Sequence, residues 1–156
     1  MDKKRALDSQ IEMTEFVMPN DTNQLNNLFG GRLMQWMDIA GSLAASRHAN
    51  KTVATVAVDS LDFRHPIRLG ELVSLKAFLT WTGRTSMEVK VLIYAENLKT
   101  GNRLLTNKAY MTFVALDEND KPINVPELII ENDEQKKEFN EANERRKQRL
   151  LRRSIV

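Results

Sequence analysis

Apolar positions along the chain change period twice, and those changes mark out its elements. The segment IEMTEFVM alternates Ile11, Met13, Phe16 and Met18 loosely, which predicts a strand ending before Pro19. A polar, turn-rich stretch, PNDTNQLNNLFGG, follows. From Gly31 onward Leu33, Met34, Met37, Ala40, Gly41, Ala44, Ala45 and His48 recur at helical spacing. They predict one helix of about eighteen residues, and its small residues Ala40, Gly41, Ala44 and Ala45 would let a sheet approach its axis closely.

After the helix come four runs rich in Val, Thr, Leu, Ile, Phe and Tyr: Thr52 to Phe63, Glu71 to Trp81, Thr85 to Asn97 and Leu104 to Leu116. Each is about eleven residues, long for a strand. The connections are short and carry turn residues: Pro66 with Leu69 and Gly70, Thr82 with Gly83, Lys99 to Asn102, and Asp117 to Lys121. Short turns join antiparallel neighbours, so the order predicts an α+β layout: one long helix against a curved antiparallel sheet of about five strands. One helix covers one sheet face only, and the other apolar positions of such long strands call for self-association. The segment from Glu131 to Arg153 is acidic first and basic later, with only Phe139, Ala142, Leu150 and Leu151 as an apolar stripe. It predicts a solvated helix frayed at its end, so the expected division is residues 1–130 as one domain and 131–156 as a charged helical tail.

Composition narrows the chemistry. The 156 residues suffice for one domain with a real core, and a 42% hydrophobic, 28% charged chain is ordinary for a globular protein. With no cysteine there are no disulfides, thiolate nucleophiles or cysteine metal sites, and two histidines are too few for most zinc sites. No metal is therefore expected. No apolar run is long enough to span a bilayer and none follows the basic start, so a cytoplasmic location without membrane association is expected. A net charge of +2 is too small to imply a nucleic-acid partner, although RRKQR could touch an anionic one.

Asp38 is an acid inside the helix, at the margin of its apolar stripe. A partly desolvated carboxylate there suits a base or nucleophile; a plain exposed helix acid is the alternative. Gly30 and Gly31 open the helix, where free N–H groups and the helix dipole suit a developing oxyanion, unless they serve only a tight entry turn. Gly31 and Asp38 stand about 10 Å apart along the axis, so two chains paired about a two-fold would present both to one carbonyl better than one chain could. Asn27 could bind a carbonyl or orient a water, or merely cap the helix; Asn20, Asp21, Thr22 and Asn23 read as turn residues. Gly83, Arg84, Thr85 and Ser86 combine donors and charge that suit phosphate, and Arg64, His65 and Lys108 are further cations that could join them.

Four blocks in order, PNDTNQLNNLFGGRLMQWMDIAG, TVAVDSLDFRHPIRLGE, TGRTSMEVKV and TFVALDENDKP, resemble the acyl-CoA thioesterases of the hotdog superfamily, which include bacterial broad-range acyl-CoA hydrolases and brain and brown-fat type enzymes. The resemblance spans roughly residues 11–126. It implies a hotdog fold and hydrolysis of acyl-CoA to fatty acid and CoA, with no cofactor beyond the CoA of the substrate. It also implies Asp38 as catalytic acid, Asn27 as its asparagine, Gly31 N–H as donor to the thioester carbonyl and Thr55 as a hydroxyl near the acid. The turn from Gly83 to Ser86 would meet the CoA moiety, and active sites would lie at dimer interfaces within hexamers. The competing readings are a CoA-ligand binding or regulatory protein without turnover, and a dehydratase, which would need a histidine near the central helix; His48 lies at its far end.

Overall fold

The computed structural model describes residues 1–59 and 61–155. Strand β1 (Lys4–Arg5) and the short helix α1 (Ala6–Ser9) precede β2 (Ile11–Phe16); a 3-10 turn, Pro19–Asp21, then leads toward the long helix α2 (Gly30–Ala49). Four long strands follow, β3 (Thr52–Asp59), β4 (Leu72–Thr82), β5 (Ser86–Glu96) and β6 (Arg103–Leu116), and then β7 (Leu128–Ile129) and α3 (Asp133–Ile155). Strands β2 to β6 form one antiparallel sheet in the order β2-β4-β5-β6-β3, while β1 and β7 pair in parallel as a separate strap.

Alternation along the strands explains the layers. Val73, Leu75, Ala77 and Leu79 of β4, Met87, Val89, Val91 and Ile93 of β5, and Ala109, Met111, Phe113 and Ala115 of β6 are all buried and form the core with α2. The predicted close approach is present: Ala40, Ala44 and Ala45 are fully buried, and a Cβ added at Gly41 would come within 3.0 Å of the Phe113 ring. The helix ends at Asn50 in the left-handed conformation, φ 54°.

Two features differ from the sequence reading. The first long strand stops at Asp59 rather than Phe63: residues 61–64 form no strand, and Phe63 and His65 line the hollow at the mouth of α2. The C-terminal helix forms, but it is docked rather than solvated. Ala142 is buried, Trp81 Nε1 donates to Asn143 Oδ1 at 2.8 Å, and Arg145 makes a two-pronged pair with Glu88 at 2.8 and 2.9 Å. A charged helix packs here because the sheet face it meets is itself polar, carrying Thr80, Glu88, Lys90 and Tyr110.

Candidate active site

The mouth of α2 is built by the loop before it. Asp21 fixes the entry: its carboxylate accepts Met18 N–H at 2.9 Å and pairs with Arg32 at 3.1 Å, and its carbonyl accepts Phe29 N–H at 2.8 Å. Phe29 caps the helix with an extended backbone, and its carbonyl takes Arg32 and Leu33 N–H. The first N–H groups of the helix have no intrahelical partner, so those of Gly30 and Gly31 are presented at the positive end of the dipole. Glycine is required at the second position, since a Cβ on Gly31 would fall 2.7 Å from the Phe29 ring. Beside this mouth lies a hollow of about 240 Å³ walled by Asn23, Asn27, Gly30, Phe63, His65 and Asn107.

Asn23 was read as a turn residue, and the structure gives it more. Its carboxamide oxygen accepts Leu25 N–H at 2.9 Å and Asn27 N–H at 3.2 Å, which orients the amide while its N–H₂ group takes no part in these bonds. Asn27 shares the hollow but is tied to the next loop, by a bridge to Arg68 and a 3.5 Å contact from Arg68 Nη1 to its Oδ1. The missed signal was position: in PNDTNQLNNLFGG four asparagines lie upstream of the glycine pair, and only the fold shows that Asn23 and Asn27 reach one hollow.

Asp38 lies two turns along α2, with Thr55 of β3 beside it. Thr55 faces the helix because it pairs with core residue Phe113, and its hydroxyl donates to Asp38 Oδ1 at 2.6 Å. Both residues are exposed in the single chain, so the desolvation expected for Asp38 is not supplied by its own subunit. The surroundings are apolar nevertheless: Met34, Ile39 and Leu43 on the same helix are 44%, 41% and 47% exposed, as are Val56 and Val58 on the unpaired sheet edge at 41% and 40%. The helix and the strand edge thus leave several large apolar side chains exposed on this side of the chain.

The structure brings some cations together and leaves one apart. Arg64, His65 and Lys108 line one open hollow with Asp62, next to the α2 mouth and sharing His65 and Asn107 with it. The Gly83–Arg84 turn borders a different depression with Glu127 and Phe139, so it does not join those cations within one chain. That turn is tightly made: Gly83 N–H donates to the Ser86 carbonyl at 2.8 Å, Thr85 O and Arg84 O accept Ala115 and Val125 N–H, and a Cβ on Gly83 would strike Trp81 at 2.6 Å. His48 is fully buried with its Nε2 bonded to Pro126 O at 2.7 Å, far from the mouth, so it cannot serve the dehydratase chemistry considered above.

Residues 25–102 match the model of the thioesterase superfamily. An acyl-CoA thioester hydrolase of Bacillus subtilis, itself uncharacterised, is 42% identical over 91% of this chain and 83% of its own length. The chain belongs to the thioesterase superfamily. Among solved superfamily members, an apo-hexameric acyl-CoA thioesterase is 37% identical and superposes over the full length of both chains with a TM-score of 0.94. The acyl-CoA hydrolase of Staphylococcus aureus, solved with butyryl-CoA, CoA and CoA disulfide, is 35% identical over 98% of this chain and 93% of that one, with a TM-score of 0.90. Variants of the Staphylococcus protein with one aspartate, one asparagine or one threonine replaced by alanine have also been solved. The superfamily fold is the hotdog, as the resemblance implied.

Proposed function

We propose that this chain hydrolyses acyl-CoA thioesters at a site shared between two subunits, with Asp38 of one facing the α2 mouth of the other. The observation that carries this reading is the split of the machinery. Asp38 and Thr55 sit on an exposed, apolar-rimmed face, whereas the Gly31 donor stands at the helix mouth, about 10 Å away along the same helix, next to a hollow lined by Gly30 and the asparagines. An isologous pair of chains brings each half to its complement. The identity of the chain to an acyl-CoA hydrolase that has been solved with CoA ligands supports the substrate class.

In this reading the thioester carbonyl oxygen lies against Gly31 N–H, where the helix terminus stabilises the negative charge that develops on it. Thr55 occupies Oδ1 of Asp38 and leaves Oδ2 for the reaction. Oδ2 takes a proton from water as its oxygen bonds to the carbonyl carbon; the tetrahedral species then collapses, the C–S bond breaks, and Asp38 returns that proton to the departing CoA sulfur, which gives free thiol and fatty acid and restores the carboxylate. Attack by Asp38 itself, through an anhydride that water later opens, uses the same geometry.

Asn23 takes the part first given to Asn27. Its oxygen is committed to backbone donors and its amide is left for water or carbonyl. In the substituted Staphylococcus variants the asparagine precedes the aspartate, and the threonine follows it, by the same intervals that separate Asn23, Asp38 and Thr55 here, which supports this choice. The Arg64, His65 and Lys108 hollow suits CoA phosphates, and the Gly83–Ser86 turn would reach them from another subunit of a dimer or hexamer.

The test is thiol release from acyl-CoAs of increasing chain length. Hydrolysis that falls about a hundredfold or more in Asp38→Asn is the expected result. Equal rates would remove Asp38 from the mechanism, and CoA binding without any turnover would make the chain a CoA-ligand binding protein.

A further inference from the structure

Strand β3 carries chemistry on one face and is gripped on the other. The cause is the bulge at Val56, between Thr55 and Ala57. In a regular strand Asp59, four positions after Thr55, would face the same side; one extra residue turns it to the opposite one. Asp59 therefore pairs with Tyr110, on the face covered by α3, and its carboxylate accepts Arg149 Nη1 at 3.0 Å and Arg152 Nη2 at 3.2 Å. The Asp59 and Arg149 side chains are 11% and 9% exposed, so water and salt screen this pair little. Arg152 is 67% exposed and contributes less.

What the grip holds is the start of the loop that walls the site. Beyond Asp59 the chain reaches Phe63, whose ring lies against Gly30, and His65, which lines the same hollow. The far end of that loop is fixed by Leu28 N–H, which donates to Ile67 O at 2.6 Å, and its middle by the Asn107 amide, which donates to Asp62 O. Its near end has only β6 as a sheet neighbour, because β3 is the sheet edge. Arg149 supplies the missing fixture.

We infer that Arg149 is a positioning residue for substrate binding: through Asp59 it sets where β3 ends, and so where Phe63 and His65 stand beside the α2 mouth. This gives the charged C-terminal helix a part in substrate recognition, and it rests on the thioesterase reading above. The same helix provides the control. Arg145 pairs with Glu88, which is 1% exposed and lies near the start of β5, separated from β3 by the whole of β6.

The experiment measures thiol release and urea unfolding for the full-length wild type, Arg149→Ala, Arg149→Lys and Arg145→Ala. The expected result is a double dissociation. Arg145→Ala loses more stability but keeps the wild-type KM, whereas Arg149→Ala raises KM about tenfold with kcat changed less than about threefold. Lysine keeps the charge toward Asp59, so Arg149→Lys recovers most of the KM. An unchanged KM in Arg149→Ala, or an equal rise in Arg145→Ala, overturns the inference while leaving the hydrolase reading intact. A wild type that hydrolyses no acyl-CoA overturns both.

Discussion

Thr55 shows how much one hydroxyl can decide. Its bond to Asp38 Oδ1 costs the carboxylate one of its two oxygens and fixes the direction of the other. Replacing Thr55 with Val keeps the shape of the strand and removes the bond. The expected outcome is a kcat lowered about ten- to hundredfold with KM little changed, read by thiol release; an unaltered kcat would mean that Asp38 is oriented by something else. His48 is the second telling residue. Burial pushes its pKa below the usual value, against the bond to Pro126 O, and Lys4 adds to the lowering while Asp8 opposes it. Its Nδ1 is buried without a partner, so a second proton has no acceptor there. The sign follows: below about 6.5 the unfolded chain takes up a proton that the folded chain refuses, and stability falls as pH drops from that value toward the lowered folded one. The same residue in His48→Gln carries no titration, so urea midpoints of wild type minus variant should decline between about pH 6.5 and 5 and be flat above. A difference that is flat throughout would refute a neutral buried imidazole.

At the scale of elements, α3 separates what a sequence pattern can show from what it cannot. Its helical character was legible in the charge spacing; its docking was not, because hydrophobic periodicity reports only apolar faces. Here the contact is made by Arg145 with Glu88, Lys90 with Glu138, and Arg149 with Asp59, which a pattern reading takes for solvated charge. Arg145 also stacks over the Tyr110 ring at 3.6 Å. Removing one partner of a buried pair leaves the other uncompensated. Arg145→Ala should therefore cost about 3 kcal/mol or more in urea unfolding, and a cost under about 1 kcal/mol would show that Glu88 finds water. The long strands and α2 were legible because their apolar positions keep one period over most of their length. The bulges at Val56 and Thr80 were not: each inserts one residue and turns the following side chains, Asp59 and Trp81, toward α3, and nothing in the local composition marks the point where parity changes.

The candidate site, as proposed, is complete only in an assembly of two chains. Asp38 and Gly31 were legible as candidates in the chain, as was the distance between them, and Thr55 came with the resemblance; Asn23 could not be singled out, since among four asparagines only the fold shows which reach one hollow. Met34, Ile39 and Leu43 on the helix of Asp38, and Val56 and Val58 on the strand of Thr55, are exposed, and on a single chain they would be a costly apolar surface in water. In the proposed dimer a second copy would cover them and also remove water from the carboxylate. This arrangement has a consequence that no intrachain site shares. In a mixed dimer of Asp38→Asn with Asn23→Ala, one site has both lesions and the other has none. If each site takes Asp38 from one chain and Asn23 from the other, unfolding and refolding the two inactive proteins together restores about a quarter of wild-type activity, because about half the dimers are mixed and half their sites are whole. Refolding each variant separately restores nothing. If mixing also restores nothing while mixed dimers form, both residues act within one chain, and the exposed apolar face has another purpose.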